Sequence, residues 1–242
     1  MFSVRSEEKE LMDSESFDKV LAEQSFKFIE MVNKRFGGSR IVEEFVASEA
    51  LKLDRKRPLR ILDIGSGSCD IPISVCNSLK LRHIPVEFTC VEFNHHAVER
   101  AQKLLHNFPN LPIRVVCEDI FHHNATKPYD IAIGSMFFHH LKNPEIIALI
   151  DYLRKLVSST VLINDLERCW ANYIGALLLT IPESTRVRND ATLSVKRGFR
   201  INELIKLFED LPQTTLTVKR CIPFRIAAFI RYSSESSHYL KG

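Results

Sequence analysis

Residues 59–72 read LRILDIGSGSCDIP, an apolar, partly β-branched run that closes on Asp63 and breaks at Gly65 and Gly67. Such a run is how a parallel strand buried on both faces passes into a loop. Two glycines alternating with Ser66 and Ser68 remove side chains where backbone must come close to a ligand. The segment therefore predicts a nucleotide-linked cofactor loop at the carboxyl end of the first strand of an α/β sheet. A dinucleotide fingerprint needs a third glycine three places after the second. The chain has Asp70 there, which argues against a nicotinamide cofactor.

Three further strand ends fall in register with that loop. Val86 to Val91 reads as a strand ending in Glu92 and Phe93, followed by a helical run over Ala97 to Leu105. In a doubly wound sheet neighbouring strand ends face one crevice, so Glu92 is placed to accept the two hydroxyls of a ribose. A third strand, Ile113 to Cys117, ends in Glu118, Asp119 and Ile120. A fourth, from Tyr129 to Gly134, delivers Ser135, Met136, Phe137, Phe138, His139, His140 and Leu141.

The pattern Asp63-x-Gly65-x-Gly67-x-Cys69 resembles the first motif of the class I S-adenosylmethionine-dependent methyltransferases, which usually carry glycine where Cys69 stands. The resemblance covers residues 61–165, and Phe138-His139-His140-Leu141 is similar to the loop after strand four in small-molecule methyltransferases. It implies a Rossmann-like doubly wound seven-stranded sheet with the last strand antiparallel, N-terminal helices and a helical lid insertion after strand five. It also implies S-adenosylmethionine as cofactor and S-adenosylhomocysteine as product. Asp63, Gly65, Ser66, Gly67, Asp70, Glu92, Phe93, Asp119, Ile120 and Ser135 become the cofactor residues, with Asp119, or alternatively Glu118, on the adenine amine and Ile120 on the ring face. A second set of residues resembles a bacterial group associated with polyketide-type or isoprenoid-quinone-type metabolism: Gly37-Gly38, Asn164 to Arg168, Asn189-Asp190 and Leu193 to Phe199. That group often has Asp-Gly where Asp190-Ala191 stands, which implies a turn there.

Length and apolar content suit one α/β domain over residues 1–242, since no stretch rich in Pro, Gly or Ser divides the chain. A net charge of +3 is too small to argue for nucleic acid. The six cysteines lack a CxxC pair and read as reduced core thiols. No apolar secretory segment opens the chain, so a cytoplasmic location is expected and the sequon at Asn124 carries no weight. Histidines occur as the adjacent pairs His95-His96, His122-His123 and His139-His140, and neighbours do not chelate at zinc-site spacing, so no metal is expected.

Ahead of the sheet, Phe17 to Phe36 and Arg40 to Leu53 read as helices separated by Gly37-Gly38, with Arg55, Lys56 and Arg57 leading to Pro58; the pair either covers the site or caps the sheet edge. After a fifth strand, Thr160 to Ile163, the connection to the last helix, Ile201 to Asp210, is far longer than it needs to be. It contains an apolar helix, Trp170 to Ile181, too short to cross a bilayer, which is expected to line a pocket, with a membrane surface or a dimer contact as alternatives. Leu216 to Arg220 and Phe224 to Tyr232 then read as a closing antiparallel pair.

Methyl transfer to a hydroxyl needs alignment, exclusion of water and a base. His140, or else His139, is the candidate base, with Asp165 to orient a histidine. Met136, Tyr173 and Arg168 are the candidate substrate residues, Arg168 acting with Arg188, Lys196 or Arg197 on an anionic group. The leading function is transfer to oxygen, or carbon, of a small aromatic, polyketide-like or quinone-like acceptor by a monomer or homodimer without a transmembrane segment. A nucleic-acid methyltransferase and a non-catalytic binding protein of the same fold are the alternatives.

Overall fold

The computed structural model describes residues 2–13, 18–52 and 57–233. Strands at Leu59–Ile64 (β1), Val86–Glu92 (β2), Ile113–Cys117 (β3), Tyr129–Ser135 (β4), Val157–Leu166 (β5), Thr214–Cys221 (β6) and Arg225–Tyr232 (β7) form one sheet. Its order is β3-β2-β1-β4-β5-β7-β6. β1 to β5 run parallel, and β7 is antiparallel to both β5 and β6. This is the Rossmann-like methyltransferase arrangement, with the carboxyl ends of the parallel strands along one edge.

Alternation along the central strands divides the core in two. Ile61, Ile131 and Leu162 face Val42, Phe45, Val46, Val75 and Leu79 of the helices Gly38–Ala50 (α2) and Asp70–Leu81 (α3). Leu62, Ile64, Ala132 and Ile163 face Ile146, Leu149, Leu204 and Phe208 of Asn143–Leu153 (α5) and Ile201–Phe208 (α8). A sheet buried on both faces explains why β1 and β4 read as continuous apolar runs rather than alternating ones. Lys19–Arg35 (α1) packs Leu21, Ala22 and Phe26 on Ala97 of His95–His106 (α4). The expected starts and ends at Phe17, Leu53, Arg55 and Lys56 lie outside the described residues.

The region after β5 departs from the sequence reading. β5 runs three residues past Ile163, to Leu166, because β7 pairs with it through Asn164, Asp165 and Leu166. Trp170–Leu179 (α6) is the apolar helix expected. The implied turn at Asp190-Ala191 is instead the middle of a helix, Thr185–Arg197 (α7), capped by Ser184 and stopped at Gly198. Its buried positions include Asp190, Thr192, Ser194 and Arg197, so it carries no continuous apolar stripe to read.

Gly65 has φ +61°, and a Cβ there would lie 2.3 Å from Phe137 Cδ2 and 2.8 Å from its Cγ. Left-handed strain of about 1–2 kcal/mol adds to overpacking of about 1–3 kcal/mol. Gly65→Ala is therefore expected to destabilise the protein by about 2–4 kcal/mol, read as a lowered denaturant midpoint with unchanged m-value.

Candidate active site

The chain between β1 and α3 turns through left-handed backbone at Gly65, Gly67 and Cys69, with φ of 61°, 54° and 61°. Cys69, standing where the resembled motif has glycine, thus holds a glycine conformation; its buried thiol lies 3.7 Å from Ser66 Oγ. Glu92 fixes the loop from the next strand. Its two carboxylate oxygens accept the Gly67 and Asn94 N–H groups, each at 2.8 Å.

Three carboxyl groups meet at this loop, and among the described residues no cation is paired with any of them. Burial raises Asp63 well above the usual carboxylate range, and Asp70 and Glu92 push it further. Burial likewise raises Asp70 to about 6, against the Asn33 amide that donates to it at 3.1 Å. Glu92 is also raised by burial, in spite of the N–H groups of Asn94 and Gly67. Buried carboxylates of one sign, set round a cradle that a Cβ would fill, suit a ligand with positive charge of its own. S-adenosylmethionine, with its ammonium and sulfonium, fits that requirement.

A cavity of about 1070 Å³ opens along the carboxyl edge of the sheet, and Asp63, Gly65, Ser66, Gly67, Asp70, Glu92, Phe93, Ser135, Met136, His139 and His140 all line it. The remaining site candidates do not. Asp119 caps the turn at Ile120–His122 by accepting the Phe121 N–H at 3.0 Å, and Ile120 is buried in the core. Glu118 is taken by the His123 ring. Arg168 is fully buried and committed to the Phe2 carbonyl at 3.1 Å, the Gly198 carbonyl at 2.6 Å and the Glu203 carboxylate. It ties the amino-terminal segment to α7 and α8, so its substrate role is withdrawn. Tyr173 packs edge-on against Phe2 and Trp170, with Lys196 over its ring, away from the cavity. Arg188 donates to the Thr180 and Ile181 carbonyls; of the cations proposed with Arg168, Arg197 alone lines the cavity.

The second half of the site depends on residues that sequence reading passed over. Residues 2–13 cross the carboxyl edge, held by Ser6 N–H on the Lys196 carbonyl at 3.1 Å and by Leu11 N–H on Asp190 Oδ1 at 2.9 Å. Arg5 adds bonds to the His139, Leu141 and Arg197 carbonyls. The segment brings Glu10 and Asp13 to the two histidines. His139 is buried, with Nδ1 2.7 Å from Asp165 Oδ1 and Nε2 3.5 Å from Glu10 Oε1; no hydrogen bond is formed by Nε2 or Glu10 Oε1 among the described residues. His140 Nδ1 lies 2.8 Å from Asp13 Oδ1. Arg197 donates to Asp13 Oδ2 at 2.6 Å and to the carbonyls of His139 and His140.

Burial alone would lower His139, but Asp165 and Glu10 outweigh it and raise the imidazole to about 9. Glu10 is held low against its burial by His140, His139 and Arg197, and Asp165 against its burial by His139. The preference for His140 over His139 changes accordingly. His139 lines the cavity and has the orienting carboxylate on Nδ1, with Glu10 Oε1 nearest Nε2, whereas His140 is paired with Asp13. Glu10, His139 and His140 offer ligand atoms within 4.8 Å of one another, the third donor coming from a segment distant in sequence from the histidine pair. The signal that marks Glu10 in the sequence is the acid pair in Glu10-Leu11-Met12-Asp13, ahead of the first long helix.

Comparison with known proteins bears on the fold. Residues 61–159 match the methyltransferase-domain family profile. The matched segment runs from β1 into β5 and carries the glycine loop and Glu92. Among solved structures, the plantazolicin methyltransferase BpumL in complex with a monoazolic desmethylPZN analog and SAH is similar over 89% of this chain and 95% of its own, with TM-score 0.66 and 18% identity. The magnesium protoporphyrin IX methyltransferase (ChlM) of Synechocystis PCC 6803 with bound SAH covers 81% of this chain and 84% of its own, with TM-score 0.57 and 13% identity. A SAM dependent methyltransferase from Aquifex aeolicus gives 0.60 at 12% identity, covering 89% of this chain and 99% of its own. A search of curated protein sequences returns no significant match.

The raised Asp70 sets a pH signature for cofactor binding. A cationic ligand favours the ionised carboxylate, so S-adenosylmethionine binding near pH 6 is expected to release protons, and affinity to fall as pH drops below about 6. Calorimetry in two buffers of different ionisation enthalpy reads the released protons. Glu92→Gln keeps one acceptor for the Gly67 and Asn94 N–H groups and Glu92→Ala keeps neither, so a ribose contact predicts weaker S-adenosylhomocysteine binding in both, with the larger loss of stability in the alanine variant.

Proposed function

We propose that the chain methylates an oxygen, or a carbon, of a small aromatic, polyketide-like or quinone-like acceptor, and that the dyad of Asp165 and His139 takes the acceptor's proton. The observation that carries this reading is the buried, cavity-lining His139, oriented through Nδ1 by Asp165, with Nε2 3.5 Å from Glu10 Oε1 and forming no hydrogen bond among the described residues. An acid holding one ring nitrogen leaves the other as the basic atom, the logic of a nucleophile-activating dyad. A cavity above the usual 300–1,000 Å³ range for one small ligand supports a site that takes two molecules side by side. Its walls include Phe26, Phe28, Ile29, Val32 and Phe137, which suit a flat apolar acceptor and exclude water. BpumL and ChlM, whose names give plantazolicin and magnesium protoporphyrin IX as what they methylate, are consistent with a small-molecule substrate.

On this reading Asp63, Gly65, Ser66, Gly67, Asp70, Glu92, Phe93 and Ser135, all lining the cavity, hold the cofactor. When bound, the cofactor supplies an electrophilic methyl group on a sulfonium. His139 Nε2 would receive the acceptor's hydroxyl proton, and Asp165 would stabilise the resulting imidazolium. Met136, with φ +55° at the end of β4, is a proposed acceptor contact. Glu10 adjusts the basicity of His139 and closes the site from the amino-terminal side.

A base that is protonated in the resting protein gives a rate that rises with pH. The kcat/KM profile is therefore expected to climb between about pH 7 and 9. Glu10→Gln should move that limb to lower pH by removing one of the two anions that raise His139, while His139→Gln should lower kcat by about 10²–10⁴-fold with S-adenosylhomocysteine affinity retained. A profile unmoved by Glu10→Gln, or full activity in His139→Gln, would remove the dyad from the mechanism.

A further inference from the structure

We infer that α6 and the β6–β7 hairpin tip form a docking face for a lipid bilayer surface, from which an acceptor with an apolar tail enters the cavity. No charged residue occurs between Trp170 and Ile181. One side of this stretch turns inward, where Asn172 and Ala176 are buried. The other side presents Trp170, Ile174, Leu178 and Ile181 to solvent, at 57%, 51%, 60% and 65% exposure. Ile222 at the hairpin tip is 91% exposed, and Phe224 beside it approaches Gly175 of α6, so the apolar surface continues from helix to hairpin. Exposed apolar side chains contiguous over two elements are uncommon on a surface that faces only water.

Two observations identify the occupant. First, the same surface forms the rim of the cavity, because Gly175, Leu178, Leu179, Pro223 and Phe224 line it. A second copy of the chain seated there would close over that rim, whereas a bilayer surface leaves the apolar route open from lipid to site. Second, residues 212–233 hold no acidic residue, and Lys219 and Arg220 are exposed beside the apolar tip, Arg220 being shared with Glu167, while Arg225 is buried and Arg231 pairs with Glu49. Apolar insertion flanked by cations complements an anionic lipid headgroup layer. At ten residues α6 is far shorter than a membrane span, so the contact is interfacial, with Trp170 at one end of the helix as an interfacial aromatic.

The docking stands on the surface alone; the delivery role rests on the methyl-transfer reading. The test is flotation of the full chain with vesicles of phosphatidylcholine containing a minority of phosphatidylglycerol, together with light scattering in solution and calorimetric binding of S-adenosylhomocysteine. Wild-type protein should float with the vesicles. Ile181→Asp with Ile222→Asp, neither of which lines the cavity, should weaken that association by about tenfold or more and leave S-adenosylhomocysteine affinity unchanged. Wild-type protein remaining with the solution fraction overturns the proposal, and so does a dimer in solution that the double variant splits. Failure of the wild type to bind S-adenosylhomocysteine would instead overturn the methyl-transfer reading, since flotation is read independently of it.

Discussion

The structure turns on carboxylates taken out of water at one edge of a parallel sheet. Asp63, Asp70 and Glu92 converge on the glycine loop, and Glu10 and Asp165 converge on His139. A buried carboxylate must find hydrogen bonds, find a cation or hold its proton, and the two groups solve this differently. Around the loop the groups are raised by burial and by one another, a state that a cationic ligand relieves. Around His139 the compensating charge is the protein's own, an imidazolium held between two acids with Arg197 behind. One half of the site is thus built to receive charge and the other to move a proton, and the cavity joins them.

Much of the remaining architecture serves to keep those groups in place. Asn33 bridges Asp70 to Arg225 of β7, through bonds of 3.1 and 2.8 Å, so the reversed strand braces the cofactor side of the site. Burial lowers the Arg225 guanidinium to about 10, with Asp165 and Asp70 opposing the shift. Asn164, next to Asp165 on β5, donates to the Gly38 carbonyl and to Ser135, tying the start of α2 to the end of β4. Arg168 performs the same task for the amino-terminal segment. These are positioning interactions, and they explain why charged residues at strand ends are not all ligand contacts.

How far the sequence was legible follows from which signals are local. β1 to β4 were readable because central parallel strands are uninterrupted apolar runs that end in recognisable chemistry, as at Asp63, Glu92 and His139. α7 was not, because it packs polar residues against the amino-terminal segment: Asp190 accepts from the Leu11 and Met12 amides and Arg197 reaches Asp13. Glu10 was missed for the same reason. Its partner lies at the end of β4, far along the chain, and nothing within its own segment announces the encounter. Arg168 and Tyr173 erred the other way: both follow β5 at the right edge of the sheet, yet a few residues of extra strand and one helix turn them into the packing beneath Phe2 rather than the cavity.

The loop between β1 and α3, with Glu92 beside it, is proposed to hold S-adenosylmethionine. The most direct measurement is calorimetric titration of the purified protein with S-adenosylmethionine, S-adenosylhomocysteine and NAD. The account predicts saturable binding of both sulfur compounds, at micromolar concentrations, and none of NAD. Absence of binding by both sulfur compounds, or binding of NAD alone, would contradict it.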